Sequence, residues 1–409
     1  MNTNWKRNII LFVISQSISL FGSSLVQYAI MWYITLNTQS GVMMTISIIC
    51  GFLPTFFLSP FAGVWADQYD RKKLIAISDG LIAGVTFIMA LFFYSGKESL
   101  GLLFMVLGIR ALGTAIQTPA VNAFIPQLVP EEHLMRVNGI NGSIQSIIFL
   151  LSPVISGVLL TLATIEVIFL IDIITAITAI GILIWCLKVP PHKKIDKGAK
   201  VDYFKDLGRG FTYIQHNKYV KSFFTYDAIY LFLVTPVAFL LPLQVTRRFG
   251  QDVWRLTAIE IAFSIGMILG GILMTTWGGF KNRVHSMVFS CFISGLFTLL
   301  IGIAPNFVLY LLFTMLIGVV MPIFNTPAIV LLQEKVDPDY LGRVFGVLSM
   351  ISSSVMPMGM LLFGPAADII DIGWLLIITG ALLSFQTIFM IKNKALIEAG
   401  NSPSKSFKF

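Results

Sequence analysis

The chain has 409 residues, 56% of them hydrophobic and only 12% charged. Soluble domains carry roughly a quarter charged residues, so this balance excludes an ordinary water-soluble domain and indicates a polytopic membrane protein. The formal net charge of +8 then reads as loops beside anionic lipid and not as a nucleic-acid surface.

In chain order, Lys6 and Arg7 precede a long apolar run with no convincing small-residue cleavage site. It is expected to be a retained spanning helix and not a signal peptide. Eleven further apolar stretches follow, each long enough for a hydrocarbon core of ~30 Å. The twelve predicted spans lie near 8–36, 41–65, 73–94, 100–123, 138–162, 165–187, 219–244, 255–277, 284–304, 306–332, 343–367 and 373–391. Between the second and third spans runs a short charged turn from Gly63 to Leu74, in which Asp67 and Asp70 precede Arg71, Lys72 and Lys73. A loop this short makes its flanking helices antiparallel neighbours.

The longest polar stretch, residues 188–218, begins after Lys188 with Val189, Pro190 and Pro191 and reads as a linker. Tyr203, Phe204, Leu207, Phe211 and Ile214 recur there at helical spacing beside Lys205 and Arg209. That pattern predicts an amphipathic helix on the membrane surface. With the N-terminus inside, 23 of the 28 Lys and Arg fall on cytoplasmic segments, so both termini are expected in the cytoplasm. Cys50, Cys186 and Cys291 sit in apolar segments without metal spacing and read as small core residues.

The two halves repeat directly. Thr118-Pro119-Ala120 recurs as Thr326-Pro327-Ala328, and Pro130-Glu131 as Pro338-Asp339, at a constant offset of 208. Six spans per half keep both copies in the same orientation, the parallel-repeat arrangement of transporters. The expected fold is all-α, with twelve transmembrane helices in two six-helix bundles. The expected divisions are 1–187, the linker 188–218, 219–391 and a cytoplasmic tail 392–409.

The turn around Gly63, Asp67, Asp70, Arg71 and Lys72 resembles the signature between helices 2 and 3 of the major facilitator superfamily, with Trp65 in place of the usual Leu. Gly139, Pro153 and Gly157 lie where the antiporters of that family carry a glycine-rich helix-5 motif, and Ser152 and Ser156 replace two of its glycines. The stretch from Gly108 to Thr114 looks like the segment that holds the family's buried arginine, here Arg110. With Leu128-Val129-Pro130-Glu131-Glu132 and Tyr340-Leu341-Gly342-Arg343-Val344-Phe345, the whole chain is similar to the twelve-span macrolide-efflux branch of drug–proton antiporters. The resemblance implies plasma-membrane export of an amphiphilic antibiotic, a macrolide first and tetracycline second, against proton entry. It also implies a gate at the charged turn.

Read residue by residue, ionisable groups inside a membrane are expensive and mark functional candidates. Arg110 cannot discard its proton and needs a partner. Candidate proton carriers are Asp79, Asp172, Asp227 and Glu260. For Asp79 a structural pairing with Arg71 or Lys72 is the stronger expectation, whereas the other three divide evenly between coupling and helix-end solvation. Glu166 and Asp368 read as solvated helix-end acids. Asp67 is expected to accept backbone N–H groups at the helix that follows Asp337, Pro338 and Asp339. Gln27, Tyr28, Gln117, Asn122, Asn141, Gln145 and Asn325 are polar candidates for a drug cavity. No phosphate-binding loop, metal spacing or nucleophile–base pair stands out, so no cofactor and no enzymatic activity is expected. The partners expected are a small-molecule drug, protons and the bilayer, with no nucleic acid and a monomeric chain. Export of an endogenous siderophore or lysolipid is the alternative within transport. A non-transporting receptor or a membrane-bound enzyme is the alternative from another class.

Overall fold

A computed structural model describes residues 5–187 and 212–401. The described residues form helices and contain no strand. They run α1 (Trp5–Thr38), α2 (Gly41–Gln68), α3 (Arg71–Tyr94), α4 (Leu100–Leu128), α5 (Leu134–Leu162) and α6 (Ile165–Gly181). After the linker come α7 (Lys218–Phe239), α8 (Leu241–Arg248), α9 (Val253–Trp277), α10 (Arg283–Ile303), α11 (Phe307–Lys335), α12 (Pro338–Ile369), α13 (Ile372–Lys392) and the short α14 (Lys394–Gly400). The expected amphipathic helix lies outside the described residues except for its end, where residues 212–216 are helical.

Helices dominate because backbone N–H and C=O groups in hydrocarbon must be satisfied within the chain. Among the described residues, twelve segments are long and apolar enough to cross a membrane, and each coincides with a predicted span. The sixth ends in a π-helical turn, Ile182–Cys186, and the seventh joins α7 to α8. Polar side chains cap several helix starts. Asp70 accepts from the Lys73 amide on α3, Asn282 from Val284 on α10, and Asn306 from Leu309 on α11. Large apolar side chains such as Phe57, Ile77 and Trp185 stay exposed on helix surfaces, as lipid-facing residues do.

Contacts group the chain into two units. The first comprises 1–38, 46–200 and 252–257, and the second 39–45, 201–251 and 258–409. The first unit packs α1, α3, α4 and α6 together, with α5 against α1 and α6. One of its apolar clusters joins Ile9 and Phe12 of α1 to Ile75, Phe124 and Leu183, with Phe12 and Phe124 edge-to-face at 5.0 Å. In the second unit α10 packs on α11 and α13, and α7 on α12 and α13.

Candidate functional site

Two polar layers cross the interior of the first unit. Arg110 on α4 and Asp172 on α6 are both buried, at 5% and 0% exposure. Arg110 Nη1 meets Asp172 Oδ2 at 2.6 Å, and its Nη2 donates to the Ser23 carbonyl at 3.2 Å. Thr86 on α3 completes the cluster: it accepts from Arg110 and donates to Asp172 Oδ2 at 3.1 Å. Ser23 Oγ donates to the other carboxylate oxygen at 3.2 Å. Asp172 therefore has donors on both oxygens, and the guanidinium charge is met by a carboxylate and two neutral oxygens. Such saturation is what a buried charge pair requires to persist. Close contact of α1 with α6 makes it possible: a Cβ at Gly22 would lie 2.0 Å from Thr175 Oγ1, one turn along from Asp172.

The second layer lies seven residues away on both α3 and α4, or about 10 Å at 1.5 Å per residue. Asp79 is 1% exposed. Its Oδ1 accepts from Ser19 Oγ at 2.8 Å and Gln117 Nε2 at 2.5 Å, and its Oδ2 has no partner. The expected pairing of Asp79 with Arg71 or Lys72 does not form. Those cations are directed to carbonyls instead. Arg71 donates to Ala66 O and Ala123 O, both at 2.9 Å, and Lys72 to Ile184 O and Leu187 O at 3.1 and 2.8 Å. Ala66, Ile184 and Leu187 lie at helix C-termini, which leave carbonyls unbonded and attract cations, whereas Ala123 lies more than a turn before the end of α4.

The remaining acid candidates are dispersed. Asp227 is buried on α7 with an unpartnered Oδ2, and Glu260 is half-buried on α9; neither pairs with a cation among the described residues. On α5, Pro153 and Gly157 are buried, while Gly139 is exposed with open space around its Cβ position. A Cβ on Gly157 would meet Thr257 Oγ1 at 1.8 Å and the Trp32 ring at 2.9 Å. Ser156 donates to Leu25 O at 3.1 Å, so its hydroxyl ties α5 to α1. Among the cavity candidates, Gln117 is engaged by Asp79, and Tyr28 stacks edge-on to Trp32 at 6.0 Å. Gln27, Asn122 and Asn325 remain exposed, and Asn141 and Gln145 half-buried.

In the second unit, Asp368 corrects the reading of it as a merely solvated acid. Its Oδ1 accepts the Gly41 amide at 2.7 Å, and its Oδ2 accepts the Val42 amide at 3.0 Å and the Ser40 hydroxyl at 2.7 Å. Arg247 pairs with Oδ1 at 2.7 Å and donates to the carbonyls of Gln39 and Ala367. Gln39 has a positive φ of 47°, an unusual backbone state for a residue with a side chain, and Arg247 holds its carbonyl. A carboxylate thus sits on the N-terminus of α2, where unbonded amides and the helix dipole favour an anion.

Residues 12–360 match the Major Facilitator Superfamily profile. The chain belongs to the Major Facilitator Superfamily. It is 30% identical over 382 residues to Macrolide efflux protein A of Streptococcus pyogenes, covering 93% of this chain and 94% of the relative. It is 29% identical over 323 residues to Macrolide efflux protein A of Enterococcus faecalis, covering 78% and 99%. The fold is also that of a bacterial homolog to the human lysosomal transporter Spinster, with a TM-score of 0.70, 14% identity and coverage of 99% and 100%. This superfamily member is therefore a multi-pass transporter of the plasma membrane.

For the superfamily turn, Asp70 caps α3, whereas Arg71 and Lys72 bind carbonyls within the first unit. The side chains of Asp67 and Asp339 lie outside the described residues. The candidates Arg110, Asp172, Asp79 and Gln117 all come together in the two layers of the first unit. Ser19, Ser23 and Thr86, which are not among the sequence candidates, complete them. A signal was present: Asp79 and Thr86, and Arg110 and Gln117, are polar pairs seven residues apart on otherwise apolar helices, which puts each pair on one face.

Proposed function

We propose that this transporter exports macrolide antibiotics from the cytoplasm in exchange for protons, with both termini cytoplasmic and one chain as the working unit. The observation that carries the substrate is 30% identity to a Macrolide efflux protein A across nearly the whole of both chains. The basic residues concentrated on alternate loops support the topology.

In this reading the two layers divide the work. Arg110 and Asp172 form the fixed charge pair, because donors already engage both oxygens of Asp172. Asp79 carries the proton. Its Oδ1 is held by Ser19 and Gln117, and its Oδ2 has no donor against it and can hold a proton. Proton occupancy at Asp79 then changes charge beside Gln117, which lies on the same helix as Arg110. The turn carrying Asp67, Asp70, Arg71 and Lys72 gates the cytoplasmic end, and Gln27 and Asn122 of the first unit offer polar anchors to the drug.

The substrate is tested by a drug panel in a susceptible host lacking its own efflux pumps, expressing the intact chain, Asp79→Asn or Asp67→Asn. Raised resistance to macrolides that both substitutions diminish is the expected result. Unchanged susceptibility to macrolides and tetracyclines, with the protein present in the membrane, contradicts the antibiotic reading.

A further inference from the structure

An exposed face of the second unit carries a cleft of about 570 Å³ between α7 and α13. Its two walls are aligned end to end, because Asn393 Nδ2 donates to Ser222 Oγ at 3.2 Å and Gln386 Nε2 to Tyr226 O at 2.7 Å. The N-terminal end of α7 therefore lies beside the C-terminal end of α13. At that end the lining is polar, with Lys221, Ser222, Thr225 and Asn393. One to three turns deeper it becomes largely apolar around Gln386, with Ile229, Leu382, Phe385 and Phe389, all exposed at 42–55%.

Lys221 is exposed, and no carboxylate pairs with it among the described residues. Among the described residues, no acidic side chain lines the cleft. One cation and three neutral hydrogen-bonding groups at the mouth, followed by aromatic and aliphatic walls, reproduce along one axis the polarity of a glycerophospholipid. A lysine at the membrane surface favours anionic over zwitterionic headgroups, and its aliphatic stem can lie along the apolar wall while the ammonium reaches the interface. A soluble drug or peptide would not need its charge confined to one end at interfacial depth.

We propose that this cleft is a binding site for an anionic phospholipid, with the phosphate at Lys221, Ser222 and Asn393 and an acyl chain along Phe385 and Phe389. The site is separate from the buried layers of the first unit and does not depend on the identity of the exported drug.

The test is native mass spectrometry of the full-length protein purified with equal amounts of phosphatidylglycerol and phosphatidylcholine bearing the same acyl chains. The intact protein is expected to retain phosphatidylglycerol preferentially. Lys221→Glu should lower that retention about five-fold or more, and Lys221→Arg should keep it. Leu382→Trp, which fills the apolar part and leaves Lys221 in place, should also release the lipid, so a poorly folding Lys221 variant does not decide the matter. Equal retention of both lipids, unchanged retention in Lys221→Glu and Leu382→Trp, or displacement by glycerol phosphate alone would overturn the proposal; the last outcome would identify a free-anion site.

Discussion

Arg110 and Asp172, sixty-two residues apart on α4 and α6, meet at 2.6 Å with both side chains almost wholly excluded from the surface. Removing one partner of such a pair strands the other charge, at a cost of about 3–5 kcal/mol. Arg110→Ala is therefore expected to lower the melting temperature in detergent and abolish drug export. Combining Arg110→Leu with Asp172→Leu should recover much of the stability while export stays absent. Recovery of export together with stability would reduce the pair to a structural tie.

Asp79→Asn keeps an oxygen to accept from Ser19 and Gln117 and preserves side-chain volume. Its melting temperature should stay within a few degrees of the parent, with uphill drug transport lost and drug-for-drug exchange kept. Measuring both transport modes in the same proteoliposomes distinguishes a coupling residue from a packing one. Loss of both modes would argue against the proton-carrier role.

On α5 the neighbouring helices, not the helix itself, dictate where glycine is needed. Gly157→Ala would push a methyl group into Thr257 and Trp32, an overpacking expected to cost about 1–3 kcal/mol. Thr257→Ala should relieve part of it, because the nearest clash is with the threonine hydroxyl. Gly139→Ala, with open space at its Cβ, should be neutral or slightly stabilising in the same melting experiment. Equal effects at the two glycines would contradict this packing account.

Asp368 is expected to restrain the first turn of α2. Replacing a helix-capping carboxylate by Ala typically costs about 1 kcal/mol, so amides at 41–44 in Asp368→Ala should exchange with deuterium about five-fold faster or more. Asp371→Ala, which removes the cap on α13 instead, should leave those amides unchanged. Unaltered protection in Asp368→Ala would show that the Thr45 contact to Met360 O at 3.1 Å holds the turn alone.

The twelve spans were legible in the sequence because hydropathy over about twenty residues is a local property. Arg110 was legible for the same reason, as a cation that a hydrophobic helix does not readily tolerate. Its partner was not. Asp172, Asp227 and Glu260 are each a lone acid on an apolar helix, and what separates them is which neighbour faces them. Asp368 shows the limit most clearly. Nothing local distinguishes it from Asp371, yet it binds amides more than three hundred residues away. The reassignment of Asp79 has the same origin: Arg71 and Lys72 lay close in sequence, but the helix-end carbonyls of Ala66 and Leu187 competed for them.

The central claim is that proton movement through Asp79 drives drug export. Inside-out membrane vesicles loaded to an acidic interior test it directly, because their lumen stands for the outside of the cell and drug should accumulate there as protons leave. The account predicts that a radiolabelled macrolide accumulates in vesicles bearing the intact chain, that the accumulation collapses with a protonophore, and that Asp79→Asn vesicles fail to accumulate it. Accumulation that survives the protonophore, or that is equally strong with Asp79→Asn, would contradict it.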